Sequence, residues 1–268
     1  MAEPREQGNR NILRSTRLAD LTWPEVGAAL AAGWDTIVTA VGSIEQHGPH
    51  LPLLTDTLIG EGLAAATVAR LDRTLQGPTI PFGCSAHHMA FPGTISLDKA
   101  PFKALVHEYA RSLAQHGFRL ICLLPSHGGN FGPLRELVAE IGGKIGETRV
   151  VAYDDMNGFL EVLYGSQRPF DVTPARAGAH AGNAETALVL ELRPDLAIME
   201  RAEEGYVGEF GPEAQALIFR EGMRALTQNG ILGDARGADA ERGRACLDAL
   251  ADHFADWVRQ AQGRNGVD

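Results

Sequence analysis

The sequence predicts an α/β fold in which a mostly parallel sheet is covered by helices. Three observations carry that prediction. Short apolar runs alternate with stretches of helical period along the whole chain, the trace that parallel strands and their crossover helices leave in a sequence. The run "FRLICLLP", residues 118–125, is apolar almost throughout, as a strand buried on both faces requires. The order strand, loop, helix appears at 35–72 and again at 119–145.

The elements follow in order. Residues 1–15 read as a disordered polar tail, leaving one domain over 16–262. "LADLTWPEVGAALAAG" has helical period, with Pro24 suited to a first turn. "DTIVTAVG", residues 35–42, reads as a buried strand. After the loop "GSIEQHGPHLPLLTDT", "TLIGEGLAAATVARLDR" resumes a helix that Thr55 or Asp56 is placed to cap. "GPTIPFG" is a second candidate strand, and "CSAHHMAFPGTISL" behind it is irregular. Lys99 to His116 has helical spacing, stopping at Gly117. "FRLICLLP" leads through "SHGGN" into the helical "FGPLRELVAEIGGKIG", and "TRVVAYDD" is a further strand. Residues 157–179 read as loop-rich, either a lid or a contact between subunits. "NAETALVLEL" is helical, the acidic "MERAEEGYVGEFGPE" reads as a solvated face, and "AERGRACLDALADHFADWVRQAQ" is a long amphipathic helix. There is no internal repeat or low-complexity stretch.

Composition narrows the function. A chain of 268 residues, 44% of them hydrophobic, can bury one full core without covalent staples. A net charge of −10 and the lack of a basic block argue against nucleic acid or anionic lipid as partner and for a small molecule or peptide. The three cysteines are far apart and form no CxxC pair, so they read as free thiols. The polar N-terminus and the lack of a long apolar run predict a cytoplasmic protein with no membrane segment.

Candidate chemistry gathers where strands end. Both unusual loops, "GSIEQHGPHLPLLTDT" and "SHGGN", leave the carboxyl end of a predicted strand, where ligands collect in open α/β sheets. Glu45 and His47 are one residue apart, so an extended backbone puts them on one face. Asp56 lies beyond a Gly-Pro-His-Leu-Pro turn that folds the chain back toward them. An imidazole with two carboxylates suits Zn²⁺, Mn²⁺ or Fe²⁺ better than Ca²⁺ or a thiophilic ion. The competing reading is a polar loop whose acids serve the helix start. His127 in "SHGGN", and His180 with Glu185 in "GAHAGNAETALVLEL", extend the set, although a loop histidine is often structural and Glu185 suits a helix first turn. Taken together, Glu45, Asp56 and Glu185 nearly balance two divalent ions, and His47 and His127 complete them without adding charge.

"GSIEQHGPHLPLLTDT", "FPGTISL", "SHGGN", "HAGNAET" and "GILGDARGADAERG" together resemble the creatininase (creatinine amidohydrolase) family, over roughly residues 36–260. The resemblance implies a three-layer α/β/α fold, two divalent ions (Zn, Mn or Fe), and hydrolysis of a carbon–nitrogen bond in a cyclic or linear amide by a metal-bridging hydroxide. It implies that Glu45 and His127 serve one ion and His47 and Glu185 the other, with Asp56 between them and His180 as proton donor to the departing nitrogen. His88, Gly128 and Gly129 would meet substrate, with His88 weighed evenly against a solvent or subunit contact. Met89, Phe91 and Phe102 read as packing, and Ser43 and Asn130 as supports for ligands. The resemblance also implies a homo-oligomer, a hexamer among the options.

Two departures bear on substrate. Creatininase has a glutamate where Gly129 stands, and it closes over its flat ring with tryptophans, whereas none lies here between Trp34 and Trp257. Creatinine is therefore a poor candidate. The family also holds a mycofactocin-precursor peptidase, for which Arg176 is an optional carboxylate binder, and a formamidopyrimidine-nucleotide deformylase. A metal-binding regulatory protein without turnover is the non-enzyme alternative.

Overall fold

The computed structural model describes residues 13–263. In chain order the elements are α1 (Trp23–Ala31), β1 (Thr36–Val41), α2 (Thr55–Val68), β2 (Thr74–Gln76), α3 (Lys99–Gln115), β3 (Leu120–Pro125) and α4 (Phe131–Glu140). There follow β4 (Lys144–Ile145), β5 (Thr148–Ala152), α5 (Met156–Gln167), α6 (Pro174–Ala177), α7 (Asn183–Leu192), α8 (Pro212–Glu221) and α9 (Ala240–Gly263). The strands form one sheet in the order β2-β1-β3-β5-β4, parallel except for the β4–β5 edge.

Strand alternation makes the three layers. Val38 and Ala40 of β1, with Leu120, Cys122 and Leu124 of β3, pack on one face with Leu63 of α2, Leu188 of α7 and Leu250 and Phe254 of α9. The intervening Ile37, Val41, Ile121 and Leu123 pack on the other face with Ala29 of α1, Phe102 and Val106 of α3, and Leu134 and Leu137 of α4. Each fully buried valine, leucine, isoleucine or phenylalanine among them contributes roughly 1.5–3 kcal/mol. A slip of one residue would exchange the faces of a whole strand, so two buried faces fix its register.

Several sequence expectations shift. The second strand is Thr74–Gln76, in register with Thr36–Val38, rather than "GPTIPFG". Pro78 and Pro81 lack an amide hydrogen, and that stretch makes only isolated bridges, Val41 to Ile80 and Gly83 to Ser96. The helix after "SHGGN" stops at Glu140, because Gly142 and Gly143 turn with φ of +64° and +70° into the β4–β5 hairpin. The stretch expected to be loop-rich holds α5, capped by Asp155, whose carboxylate accepts from the Gly158 N–H at 2.8 Å. Part of the acidic stretch read as a solvated face leads into α8. Of the expected tail, residues 1–12 lie outside the described residues, while Arg14 pairs with Glu25 at 2.9 Å. Among the described residues no helix is long and apolar enough to cross a membrane.

Candidate metal centre

Val41 and Pro125 are register partners in β1 and β3, so the chain leaves both strands side by side. Beyond β1 it stays extended. Ile44 bridges to Ile95, and the Glu45 N–H donates to the Leu53 carbonyl at 2.9 Å. Gly48, at φ +67°, then reverses the chain so that His47 faces Leu51; a Cβ at Gly48 would lie 2.7 Å from Ile231 Cγ1. The return delivers Asp56 in the first turn of α2. Neither Thr55 nor Asp56 caps that helix, since Leu54 holds the cap position, and the Asp56 carboxylate is free to face inward.

Beyond β3, the Ser126 hydroxyl donates to the Asp56 carbonyl at 2.8 Å. Asn130 donates to the Val41 and Gly42 carbonyls at 3.0 and 2.9 Å and accepts from the Cys84 N–H at 3.0 Å. One buried amide thus ties three segments together. The third contribution comes from 180–185, where Ala181 adopts left-handed backbone, φ +52°, a strained state for alanine. Its N–H donates to Glu185 Oε2 at 2.5 Å, holding the carboxylate beside His180.

These turns bring five predicted ligands into one buried cluster. Asp56 Oδ1 is 3.2 Å from His47 Nε2, which is 3.7 Å from Glu185 Oε2. Asp56 Oδ2 is 3.2 Å from His127 Nδ1, which is 3.2 Å from Glu45 Oε1. The two Asp56 oxygens therefore face two different histidine–carboxylate pairs. Three groups of ligand atoms each lie within 4.8 Å of one another: Glu45, Asp56 and His127; His47, His180 and Glu185; and Glu45, His88 and His180.

The cluster fits a divalent metal on its own evidence. Both Glu45 oxygens, His47 Nε2 and Asp56 Oδ2 are buried, and none has a hydrogen-bond partner among the described residues; their close contacts are ion-pair contacts without hydrogen-bond alignment. Leaving such groups unpaired costs roughly 1–3 kcal/mol each, more when charged. Carboxylates with imidazoles are the donor set of zinc, manganese and iron. Burial raises the pKa of Glu45, and raises Glu185 to about 7 against the opposing pull of His47. For Asp56, burial is outweighed by His47 and His127, which hold its carboxyl well below the usual range. Burial likewise pushes His47 down, yet Asp56, Glu185 and Glu45 hold it at about 9. His127 is held well above the usual imidazole value by Glu45 and Asp56, against its own burial.

Above the cluster opens a cleft with a cavity of about 90 Å³, floored by Glu45, Asp56, His127, His180 and Glu185 and walled by Met156 and Phe159 of α5, Ile218 and Phe219 of α8, Phe210 and Leu232. Among the described residues no lysine or arginine lines it. His88 and Gly128 are on its wall, as is His87, whose ring lies 4.7 Å from that of Phe219. Gly129 is not on the wall. It backs onto the Cys84 carbonyl, 2.2 Å from where a Cβ would be, so no side chain fits there. Ser43 hydrogen-bonds Ser85. Phe102 is buried as expected, but Met89 is 57% exposed rather than packed. Arg176 pairs with Asp234 at 2.7 Å and does not line the cleft. Sequence reasoning missed the α5 and α8 walls, though the Asp155 cap and the Pro212 start were visible signals. It also passed over Gln46, taken as a spacer between two ligands.

Comparison with known proteins agrees with this geometry. The family model described as creatinine amidohydrolase matches residues 19–258. A mycofactocin precursor peptide peptidase of Mycobacterium tuberculosis is 34% identical over 241 residues, covering 85% of this chain and 88% of that protein. The creatinine amidohydrolase of Pseudomonas putida is 28% identical over 264 residues, covering 92% and 97%. A manganese creatininase structure matches with TM-score 0.76 at 26% identity, covering 92% of this chain and 99% of that one, and a variant described as Zn-Zn type matches at 0.73 and 27%, covering 93% and 99%. The chain belongs to the creatininase family, a hydrolase that acts on carbon–nitrogen bonds.

Proposed function

We propose that the chain is a two-metal hydrolase of a linear, peptide-like amide with apolar groups near the scissile bond, rather than of creatinine. The observation that carries this is the cleft, in which a charged, ligand-rich floor meets aromatic and aliphatic walls with no lysine or arginine among the described lining residues. Ala179, Phe210 and Leu232 also line an adjoining groove with Tyr164, Pro174, Tyr206 and Val207. A chain-like substrate needs such an extension, and a small flat ring does not. The peptidase relatives, 31–34% identical, support this reading over the creatinine amidohydrolase at 28%. A phosphorylated formamidopyrimidine would call for lysine or arginine contacts, and none is among the described lining residues.

The two Asp56 oxygens, facing different histidine–carboxylate pairs, support a reading in which Glu45 and His127 would hold one ion, His47 and Glu185 another, and Asp56 would serve both. When bound, such a pair polarises a carbonyl and lowers the pKa of water toward neutrality. The apolar walls exclude bulk solvent and hold the amide over the floor. His180, buried with Nδ1 3.7 Å from Glu45 Oε1, is placed to take the proton of the attacking water and return it to the nitrogen as the C–N bond breaks. The family likeness supports a homo-oligomer, a hexamer being the form to test by sedimentation velocity.

The test is a substrate panel with zinc- or manganese-loaded protein, read by mass spectrometry for released amine. Blocked peptides with aromatic or aliphatic residues are cleaved in a metal-dependent way, and creatinine is spared. Faster turnover of creatinine than of every peptide refutes the proposal. Stoichiometric metal with no amide cleaved at all favours the metal-binding protein without turnover.

A further inference from the structure

We infer that Gln46 is a positioning residue that fixes the ring protons of two neighbouring histidines, so that His88 presents an N–H and His180 a lone pair to the same part of the cleft. The orientation of the Gln46 amide is set by two main-chain contacts. Its Oε1 accepts from the Gly48 N–H at 2.9 Å, and its Nε2 donates to the Gly230 carbonyl at 3.2 Å. Turning the amide over would oppose donor to donor and acceptor to acceptor at once.

His180 Nε2 lies 2.7 Å from the main-chain carbonyl of Gln46, which requires a hydrogen on that nitrogen. In the neutral ring Nδ1 is then bare, and it is Nδ1 that faces Glu45 Oε1. The Gln46 Nε2 also sits 3.0 Å from both His180 Nε2 and His88 Nδ1. It cannot donate to a nitrogen that already carries a hydrogen, so its second hydrogen goes to His88 Nδ1. His88 therefore carries its own hydrogen on Nε2, which lies 3.3 Å from Glu45 Oε1. That contact is out of hydrogen-bond alignment, since Glu45 Oε1 has no such partner, and the N–H remains available to the cleft that His88 lines.

Two consequences follow. His88 is excluded as a cation ligand, although its Nε2 clusters with Glu45 and His180, because a nitrogen bearing hydrogen has no lone pair to give. And the ring pair, 4.7 Å apart between centroids, offers what amide hydrolysis requires. As the C–O bond forms, the carbonyl oxygen gains negative charge that the His88 N–H meets. The water proton passes to His180 Nδ1 and then to the nitrogen as the C–N bond breaks. This kinetic role rests on the hydrolase reading above, whereas the proton positions do not.

The experiment is solid-state ¹⁵N NMR of zinc-loaded, ¹⁵N-histidine-labelled protein, with His88→Gln and His180→Gln difference spectra for assignment. In the wild type both rings are expected as the Nε2–H tautomer. In Gln46→Glu, whose carboxylate only accepts, His88 moves to an Nδ1–H form, while His180 keeps Nε2–H because its acceptor is the main chain. The same variant is expected to lose on the order of 10²–10³ in kcat with little change in KM, the signature of a hydrogen bond made in the transition state. A wild-type His88 carrying hydrogen on Nδ1 overturns the inference without any variant. An unmoved His88 in folded, zinc-bound Gln46→Glu overturns it as well. Expected spectra with no peptide cleavage would fault the hydrolase reading alone.

Discussion

Asp56→Asn tests the centre most directly, because it keeps the shape of the side chain and removes its charge. In the structure each carboxylate oxygen stands 3.2 Å from a different imidazole. Once those imidazoles have lost their protons, a cation held by the same side chains would be the carboxylate's opposite charge, and unit charges about 4 Å apart attract by roughly 4 kcal/mol at an effective dielectric of about 20. Desolvation offsets part of this, and removing one partner of a buried pair typically costs ~3–5 kcal/mol net. At ~1.4 kcal/mol per factor of ten, that is a loss of about two to three and a half powers of ten in affinity. An asparagine must also turn its NH₂ toward one of the two pairs, placing a donor where a lone pair is needed.

The assay is metal content by mass spectrometry after dialysis against a mild chelator, in parallel with His47→Asn and His127→Asn. If Asp56 serves both ions, its variant loses more than one ion per chain, whereas each histidine variant loses mainly one. Activity vanishes in Asp56→Asn. Retention of both ions by folded Asp56→Asn under the same dialysis refutes the bridging role and the geometry argued for it.

Gly129→Ala places a Cβ 2.2 Å from the Cys84 carbonyl and 2.5 Å from His127 Nε2, disturbing the 3.1 Å hydrogen bond that orients His127; we expect a lower melting temperature and a roughly 10–100-fold loss of zinc affinity, and unchanged zinc affinity would contradict the role given to that bond. The pH dependence of zinc uptake follows from His47, held at about 9, and His127, held above its ordinary value. Both must lose a proton to bind, so apparent affinity rises as pH increases from about 6 to 9, and a pH-indicator titration in weak buffer records proton release on the order of two per chain near pH 7. Affinity that falls over that range would show the imidazoles are not the ligands.

The floor of the site was legible in the sequence because it depends on where buried strands end. β1 and β3 could be recognised from apolar runs, and Glu45, His47, Asp56 and His127 follow them within a few residues. The walls were not. α5 has Asn157 and Gly158 in its first turn and contains Gly165, weak helix formers, and Phe131, Tyr153 and Phe254 help to hold it by packing that no local window reveals. Prolines hid the true position of β2. Gln46 was invisible for a different reason, since its partners His88, His180 and Gly230 lie 42, 134 and 184 residues away, and a neutral amide between two ligands looks like a spacer.

This division explains why the reaction class could be read earlier than the substrate. The floor is clamped by main-chain contacts at the ends of the sheet, with Asn130 tied to Val41, Gly42 and Cys84 and Glu45 to Leu53, so its side chains have little freedom to differ without losing the fold. The walls come from α5 and α8, which approach the floor from outside the sheet and meet it through apolar side chains. Exchanging a tryptophan for Phe159 or Phe219 changes the shape of the cleft without touching a ligand. Gly129 carries the same logic onto the floor, because packing against Cys84 leaves no space for a side chain there. A centre with that carboxylate missing must take its remaining contacts from water or substrate. Together with aromatic walls and an adjoining groove, that favours the proposed longer amide, which brings its own carbonyl oxygen to the site.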